Sequence, residues 1–172
     1  TTDQTFTFFV VFETGQAGAD IFMGGDTGQN NENFISLAGA NGVAIQTRFT
    51  GVSGGSANNT VTTKTDGTES GGTNGDVSYT FRENIPEIMV MTRASDEEMR
   101  FYNHNGALIC TEDSATNNNA NTNFRVQTIG TDGGGSGAHQ GTIGEIGLYN
   151  KVLTSTEISD LITHLKDKWS VS

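Results

Sequence analysis

The last part of the chain carries the clearest alternation of apolar and polar positions. After Thr154, apolar residues recur at intervals of three and four positions: Ile158, Leu161, Ile162, Leu165 and Trp169. This spacing lines up one face of an α-helix. Thr154 precedes Glu157 by three residues, the spacing of a capping box, and Lys166 and Lys168 lie in the last turns, where cations suit the helix dipole. The pattern predicts one amphipathic helix at the end of the chain.

Everything before this helix has the pattern of strands and turns. Thr5 to Glu13 is a run of aromatic and β-branched residues, which predicts a central strand covered on both faces. Asn41-Gly42 and Asn105-Gly106 predict hairpin turns. Further short apolar or Thr-rich runs predict strands at 21–25, on both sides of 40–42, and at 60–65, 76–84, 88–91, 99–102, 107–110, 124–130 and 143–149. So many short strands favour a β-sandwich or jelly roll, sealed at an edge or one end by the helix.

The same pattern predicts the hydrophobic core, because apolar residues facing inward recur along each strand and along the helix. The predicted core is Phe6, Phe8, Val10, Phe12, Ile35, Leu37, Ile45, Ile88, Val90, Phe101, Leu108, Val126, Ile143, Ile146, Leu148, Leu161, Leu165 and Trp169.

Composition narrows the possible partners. The chain has 172 residues, a formal net charge of −11 and a pI of about 4.4, and its length predicts a single domain over residues 1–172. Nucleic acids and anionic membranes bind basic surfaces, so the acidic balance excludes both. No apolar stretch approaches the length that inserts across a membrane. Cys110 is the single cysteine, so no intrachain disulfide forms, and it is expected in the core.

Two stretches resemble a known family. The run IMVMTRASDEEMRFYNHNGALI and the ending GTIGEIGLYNKVLTSTEISDLITHLKDKW are similar to the signature hairpin and the last strand and helix of laminin G-like, concanavalin A-like lectin-glucanase domains. The first strand matches as well, so the resemblance spans almost the whole chain. It implies an all-β fold, a two-sheet antiparallel jelly-roll sandwich with one C-terminal α-helix. The family includes lectins, glycanases, adhesion modules and virion proteins, so the resemblance leaves function open.

The chain departs from this family at one position. Many members carry an Asp between the Ile and the Glu of the last strand, where this chain has Gly144. An acidic side chain near that strand can bind calcium in the family, whereas glycine has no side-chain ligand. The resemblance therefore does not carry that ligand over to this chain.

The sequence argues against catalysis. Glycanases with a retaining mechanism need two carboxylates about 5 Å apart, and the paired motifs that place them on one strand in related folds are absent here. The three histidines are expected to be isolated: His104 in a hairpin turn, His139 in a glycine loop and His164 on the helix. We therefore expect a protein that is not an enzyme.

Calcium is the metal that the sequence allows, since hard cations prefer carboxylate, amide and carbonyl oxygens. The first candidate loop holds Asp20, Asp26 and Asn30. Asp113 with nearby asparagines and Asp132 in a glycine loop are alternatives. None has a fixed ligand spacing, and Asx-rich loops are also explained by turns in which the side chain bonds its own backbone. No cofactor is otherwise expected.

A carbohydrate site needs an aromatic face beside hydrogen-bonding groups. Trp169 is assigned to the helix core, which leaves these ligand-binding candidates: Tyr79, Arg82, Asn117, Asn118, Asp132 and His139. The alternative for Tyr79 is packing inside the sandwich.

Three functions fit these features. The first is a non-catalytic binding or structural module on a virus particle, such as a phage decoration, head-fibre or tail protein, that self-associates and contacts other virion or surface proteins and glycans. The second is a secreted bacterial lectin or adhesin at the cell surface, and the third is a glycan-cleaving enzyme. The N-terminal residues lack a basic and apolar signal pattern. We expect that either a signal peptide or an initiator Met has been removed.

A glycan-array screen with calcium, repeated with a chelator, separates these hypotheses. Binding that the chelator abolishes indicates a calcium-dependent lectin, because the metal then carries the sugar contacts. Binding that survives indicates a metal-free site. No glycan binding either with calcium or with the chelator favours the structural role.

Overall fold

The computed structural model describes residues 5–14, 20–25, 33–38, 44–49, 60–64, 69–70, 82, 84–94, 99–112, 128–131 and 138–172. Within these residues the chain is mostly antiparallel β-sheet with one helix at its C-terminus. The elements are β1 (Phe6–Thr14), β2 (Asp20–Gly25), β3 (Asn33–Ala38), β4 (Ala44–Phe49), β5 (Thr60–Lys64), β6 (Glu69–Ser70), β7 (Glu87–Arg93), β8 (Met99–Tyr102), β9 (Leu108–Glu112), β10 (Thr128–Ile129), β11 (Gly141–Tyr149) and α1 (Ser155–Trp169).

The described strands form two sheets. One sheet has five strands in the order β11-β1-β7-β8-β9, and the other has six in the order β10-β2-β3-β4-β5-β6. The two predicted hairpins are confirmed, since β3 pairs with β4 and β8 pairs with β9. Gly106 has a φ of +72° in the second turn, a conformation that glycine adopts without steric cost. The predicted strand over 76–84 is wrong at its described end, because Arg82 and Asn84 lie outside any strand.

Strand β1 is buried on both faces, as its composition predicts. One face carries Phe6, Phe8, Val10 and Phe12, which pack with methionines of β7 and β8. The other face carries Phe9 and Val11, which pack with the helix. Strand β7 is likewise buried throughout, so the middle of the five-stranded sheet must be covered from both sides.

Helix α1 supplies the cover on one side. Its residues Ile158, Ile162 and Leu165 form one buried cluster with Ile88 and Val90 of β7. The expectation that the helix covers an edge or one end is therefore wrong: it lies across the central strands. The physical reason is that β1 and β7 present apolar residues outward as well as inward, and this area gains most by leaving water.

The ends of the helix follow the sequence pattern. The Glu157 backbone N–H donates to Thr154 Oγ1 over 3.3 Å, and the Thr154 N–H donates to Glu157 Oε2 over 2.8 Å. These two bonds form the predicted capping box. Ser170 adopts the left-handed conformation at the other end, and the following Val171 is buried in the helix–sheet cluster.

Among the described strands, β11 lies at one edge of its sheet, and it is not the buried strand that its apolar residues suggest. Leu148 is 48% exposed, and Leu108, on the opposite edge strand β9, is 39% exposed. Both are therefore wrong as core predictions, because an edge strand has a neighbour on one side only. The predicted core residues that are buried are Phe6, Phe8, Val10, Phe12, Ile88, Val90, Phe101 and Leu165. Those that are partly buried against the core are Ile143, Ile146, Leu161 and Trp169. The side chains of Ile35, Leu37, Ile45, Val126 and Cys110 lie outside the described set.

Thr7 fixes the corner between β11 and α1. Its side chain is fully buried. The hydroxyl donates to the Lys151 carbonyl over 2.8 Å and accepts from the Leu153 N–H over 3.0 Å. A single residue of β1 thereby satisfies two backbone groups of the corner, which sets where the helix begins relative to the sheet.

Replacing Thr7 with valine tests this arrangement. Thr7→Val keeps the shape of the side chain but leaves the buried Leu153 N–H unsatisfied, so we expect a loss of about 1–3 kcal/mol in the free energy of unfolding. Urea unfolding measures the change. Thr5→Val, at a half-buried residue just before the strand, is the matched control and should stay within about 0.5 kcal/mol of the parent. Equal effects of the two variants would contradict this role of Thr7.

Candidate functional site

The structure describes two of the six predicted ligand-binding residues. Tyr79, Asn117, Asn118 and Asp132 lie outside the described residues, so their predicted role stays a prediction. Arg82 and His139 are described, and each contacts a different part of the fold.

Arg82 pairs with a buried carboxylate. Its Nε lies 2.5 Å from Glu87 Oε1, and its Nη2 donates to the Ser172 carbonyl over 3.1 Å. Glu87 is completely buried at the start of β7, and an unpaired charge there would be costly. These contacts give Arg82 a structural role.

The same carboxylate binds His104, so the expectation that this histidine is isolated is wrong. His104 Nδ1 lies 2.7 Å from Glu87 Oε2, and its Nε2 lies 2.9 Å from Asn105 Nδ2. An amide nitrogen only donates, so Nε2 accepts and Nδ1 carries the proton given to Glu87. Lys166 Nζ donates to Asn105 Oδ1 over 3.1 Å. The chain of contacts ties the hairpin turn to the helix.

His139 lies at the far end of β11 from Tyr149. Its Nε2 lies 3.3 Å from the Thr142 carbonyl oxygen, and its backbone N–H donates to Gly130 over 2.8 Å. Strand β11 separates the two ends by roughly 26 Å, at about 3.3 Å per residue. His139 therefore shares no site with Tyr149.

The predicted calcium ligands remain untested. Asp26 and Asn30 lie outside the described residues, and Asp20 is described only through its backbone in β2. In the part of the chain that the structure covers, no three His, Cys, Asp or Glu side chains cluster in a way that could hold a metal ion.

The same described part contains no helix with both the length and the hydropathy to cross a membrane.

A cleft of about 350 Å³ lies where β11, the corner and the first half of α1 meet. We call it the Tyr149 cleft. It is lined by Tyr149, Lys151, Leu153, Glu157, Asp160, Leu161 and His164. The four helical residues occur at intervals of three and four positions, which places them on one face of the helix beside the end of β11.

Packing against the Phe9 ring positions the Tyr149 ring. Its centroid lies 6.1 Å from that of Phe9, with the two rings tilted by 36°. A Cβ at Gly147 would lie 2.0 Å from the Phe9 ring, so glycine at this position lets Phe9 lie across β11. Tyr149 remains 37% exposed above it. The result is an aromatic side chain held in place with part of its surface free for a ligand.

Two charged groups of the cleft pair with each other, whereas the other polar groups face water. Lys151 Nζ lies 2.5 Å from Glu157 Oε1. The hydrogen bond from Lys151, followed by those from the Thr154 backbone and hydroxyl, lowers the pKa of Glu157 from 4.5 to about 2. Asp160 and His164 are exposed on the following turns. The cleft thus combines one neutralised pair with a carboxylate and an imidazole that face water.

Trp169 also lines a cavity, although its position in the helical pattern predicts a ring in the core. Its Nε1 donates to Glu145 Oε2 over 2.9 Å, and this bond is the first cause of the lowered pKa of Glu145. The ring lies over Gly144, where a Cβ would approach it to 3.1 Å. Gly144 is the extra residue of a β-bulge between the pairs Val11–Glu145 and Phe12–Ile143. Gly144 is thus covered by an indole ring.

The pocket beside Trp169 is smaller than the Tyr149 cleft, at about 190 Å³, and Val11, Phe12 and Pro86 are among its lining residues. Its lining is mainly apolar, whereas the Tyr149 cleft combines an aromatic ring with charged and hydrogen-bonding groups. The Tyr149 cleft is therefore the better candidate site for a polar ligand. The sequence signal for it was an aromatic residue ending a strand shortly before a helix with Glu157, Asp160 and His164 on one face.

No protein-family model matches this chain, and no curated protein matches it in sequence. Solved structures resemble it in fold. The CBM40 of the Ruminococcus gnavus IT-sialidase is 13% identical, over 94% of this chain and 84% of that one, with a TM-score of 0.61. The heptameric SAP-like pentraxin of Limulus polyphemus is 11% identical, over 93% and 70%, with a TM-score of 0.61.

A third solved structure was determined with a sugar bound. Domain 4 of a GH43 extracellular arabinanase from Geobacillus stearothermophilus, in complex with arabinotriose, is 14% identical, over 94% of this chain and 68% of that one, with a TM-score of 0.58. At these identities the likeness is one of fold. It agrees with a mostly antiparallel β-sheet architecture that ends in a helix.

The lowered pKa of Glu157 predicts a pH-dependent contribution to stability. Its folded pKa of about 2 lies below its ordinary value of 4.5. Its contribution is therefore complete above about pH 4.5 and is lost as the pH falls towards 2. The difference in unfolding midpoint between the parent and Glu157→Gln should shrink from pH 6 to pH 2.5, and urea unfolding at both pH values measures it.

Lys151→Met is the companion variant, because it removes the largest cause of the shift. The parent should lose more stability than Lys151→Met between the same two pH values. A difference between the parent and Glu157→Gln that stays constant with pH would contradict the ion pair and the capping box as its source.

Proposed function

We propose that this chain is a non-catalytic carbohydrate-binding module and that the Tyr149 cleft holds the glycan. The observation that carries the proposal is the half-exposed Tyr149 ring, held by Phe9 and bordered by the charged side chains of Lys151, Glu157 and Asp160. Small-molecule sites combine an aromatic or apolar wall with a few placed polar groups, and this cleft has both.

The chemistry of a sugar suits such a cleft. One face of a sugar ring is made of C–H groups and can pack on an aromatic ring, while its hydroxyls donate and accept hydrogen bonds at the rim. Carboxylates accept such bonds, ammonium groups donate them, and an imidazole can do either. Asp160, Lys151 and His164 provide these three kinds of group around Tyr149.

The fold relatives support the proposal without deciding it. A CBM40 and an arabinanase domain solved with arabinotriose share this architecture, so the fold accommodates glycan recognition. Function still depends on the site and not on the fold. We therefore rest the proposal on the Tyr149 cleft.

The acid–base state of the cleft favours binding over hydrolysis. Glycoside hydrolysis needs a general acid whose pKa is raised, so that it still carries a proton at the working pH. The pKa of Glu157 is lowered to about 2. A carboxylate that is ionised and held by the capping box is a poor proton donor, which supports a role without catalysis.

We further propose that the two sheets stack as a concanavalin A-like jelly roll. The support is the face of the five-stranded sheet opposite the helix, where Phe8, Val10, Met89 and Met91 are all fully buried. Such a face needs a covering layer, and the six-stranded sheet is suited to provide it.

The wider biological setting stays a prediction. A place on a virus particle, with self-association and contacts to other virion proteins, rests on composition and resemblance. A secreted lectin at the cell surface fits the carbohydrate-binding proposal better, because that role needs only the glycan site. Calcium dependence also stays a prediction.

The proposal predicts that Tyr149→Ala weakens glycan binding while the fold persists. A glycan array identifies a bound sugar, and isothermal titration calorimetry then measures its affinity for each variant. We expect Tyr149→Ala to weaken binding about tenfold, since an aromatic contact contributes up to about 1.5 kcal/mol beyond its buried area and about 1.4 kcal/mol is a factor of ten. Tyr149→Phe keeps the ring and should retain most of the affinity.

Leu148→Ala is the matched control. It truncates an exposed apolar residue of the same strand, and successive side chains of a strand point to opposite faces. Unchanged affinity in Tyr149→Ala, or an equal loss in Leu148→Ala, would overturn the assignment of the glycan to the Tyr149 cleft.

A further inference from the structure

The charges of the Tyr149 cleft do not cancel. Lys151 and Glu157 form a close pair, so the ammonium of the cleft already has a carboxylate partner. Asp160 lies one helical turn after Glu157 and is exposed. Among the residues that the structure describes, no side chain pairs with its carboxylate. With His164 counted as neutral, the cleft carries one net negative charge.

From this geometry we propose that the Tyr149 cleft takes uncharged sugars and rejects anionic ones, with Asp160 as the residue that sets this specificity. The inference rests on the proposed function and narrows its ligand class. It excludes sialic acids and uronic acids, whose carboxylates would face Asp160, because the one ammonium among the described lining residues, Lys151, is paired with Glu157. Specificity of this kind comes from a repulsive element as much as from attraction.

Asp160 also has an attractive part in this recognition. An ionised carboxylate accepts hydrogen bonds through both oxygens and donates none. Two neighbouring hydroxyls of a sugar above Tyr149 can donate to it together, and bonds to a charged acceptor are stronger than neutral ones. A sugar carboxylate has no proton to donate there at neutral pH.

The surroundings add to the repulsion. The whole chain has a formal charge of −11, and a net negative protein slows the approach of anionic ligands. The pairing of Lys151 persists over the usual pH range, because the pKa of Glu157 is lowered to about 2. Added salt should weaken the discrimination only in part, since exposed charges are screened over about 8 Å at physiological ionic strength.

The test uses pairs of probes that differ in a carboxylate. Sialyllactose is compared with its uncharged methyl ester, and oligogalacturonides with their methyl esters, by array and then by calorimetry at pH 7. We expect the uncharged member of a bound pair to bind at least about tenfold more tightly. An acidic member that binds as tightly as its neutral partner, or more tightly, overturns the inference.

Two variants tie the effect to one residue. Asp160→Asn keeps the size of the side chain and removes its charge, so the ratio of affinities between neutral and acidic probes should fall to within about threefold. Asp167→Asn makes the same change in net charge at an exposed position two turns further along the helix, outside the cleft, and should leave the ratio unchanged. Equal ratios in the parent and Asp160→Asn also overturn the inference.

Failure of the proposed function gives a different result. If Tyr149→Ala binds every probe as the parent does, or if no probe binds the parent, the glycan site is wrong and the inference falls with it. If Tyr149→Ala weakens binding while acidic probes still bind well, only the charge selectivity is wrong. Circular dichroism and the urea midpoint of each variant show that the fold is intact.

Discussion

The fold depends on the burial of both faces of strands β1 and β7. Phe8 and Val10 on one face and Phe9 and Val11 on the other are all nearly inaccessible to water. A sheet with two apolar faces needs a layer on each side, and α1 is the layer over Phe9 and Val11. The Thr7 hydroxyl and the capping box then set where the helix starts. The Tyr149 cleft follows from this arrangement, because the first half of the helix must pass beside the end of β11.

The buried polar groups stabilise the fold, whereas the exposed polar groups are available to a ligand. Glu87 is fully buried and satisfied by Arg82 and His104, as a charge within a protein interior must be. Removing either partner would take one of these contacts from a buried carboxylate, so both side chains serve the fold. Asp160 faces water without a described partner and can meet a ligand without first breaking an internal contact. Exposure and free hydrogen-bonding capacity therefore mark the candidate site better than residue type does.

The glycines of β11 show how one strand accommodates two aromatic neighbours. Gly147 leaves space for the Phe9 ring, and Gly144 lies beneath Trp169 at a bulge. A side chain at either position would push an aromatic ring away from the sheet. The departure from the resembling family at Gly144 thus has a packing reason. The same packing holds Tyr149 partly exposed, since Phe9 fills the space below its ring.

The sequence alone determined the elements whose signals are local. The capping box at Thr154, the helical period from Ile158 to Leu165, the hairpin at Asn105-Gly106 and the doubly buried strand β1 follow from the residues themselves, because capping, periodicity and turn geometry act over a few positions. Only the tertiary structure decided that β11 lies at an edge among the described strands and leaves Leu148 exposed, that Arg82 serves Glu87, and that Tyr149 and Asp160 share a cleft. These outcomes depend on which segments become neighbours in space. Strand order and the placement of the helix are set by the burial of the whole chain and not by any one stretch.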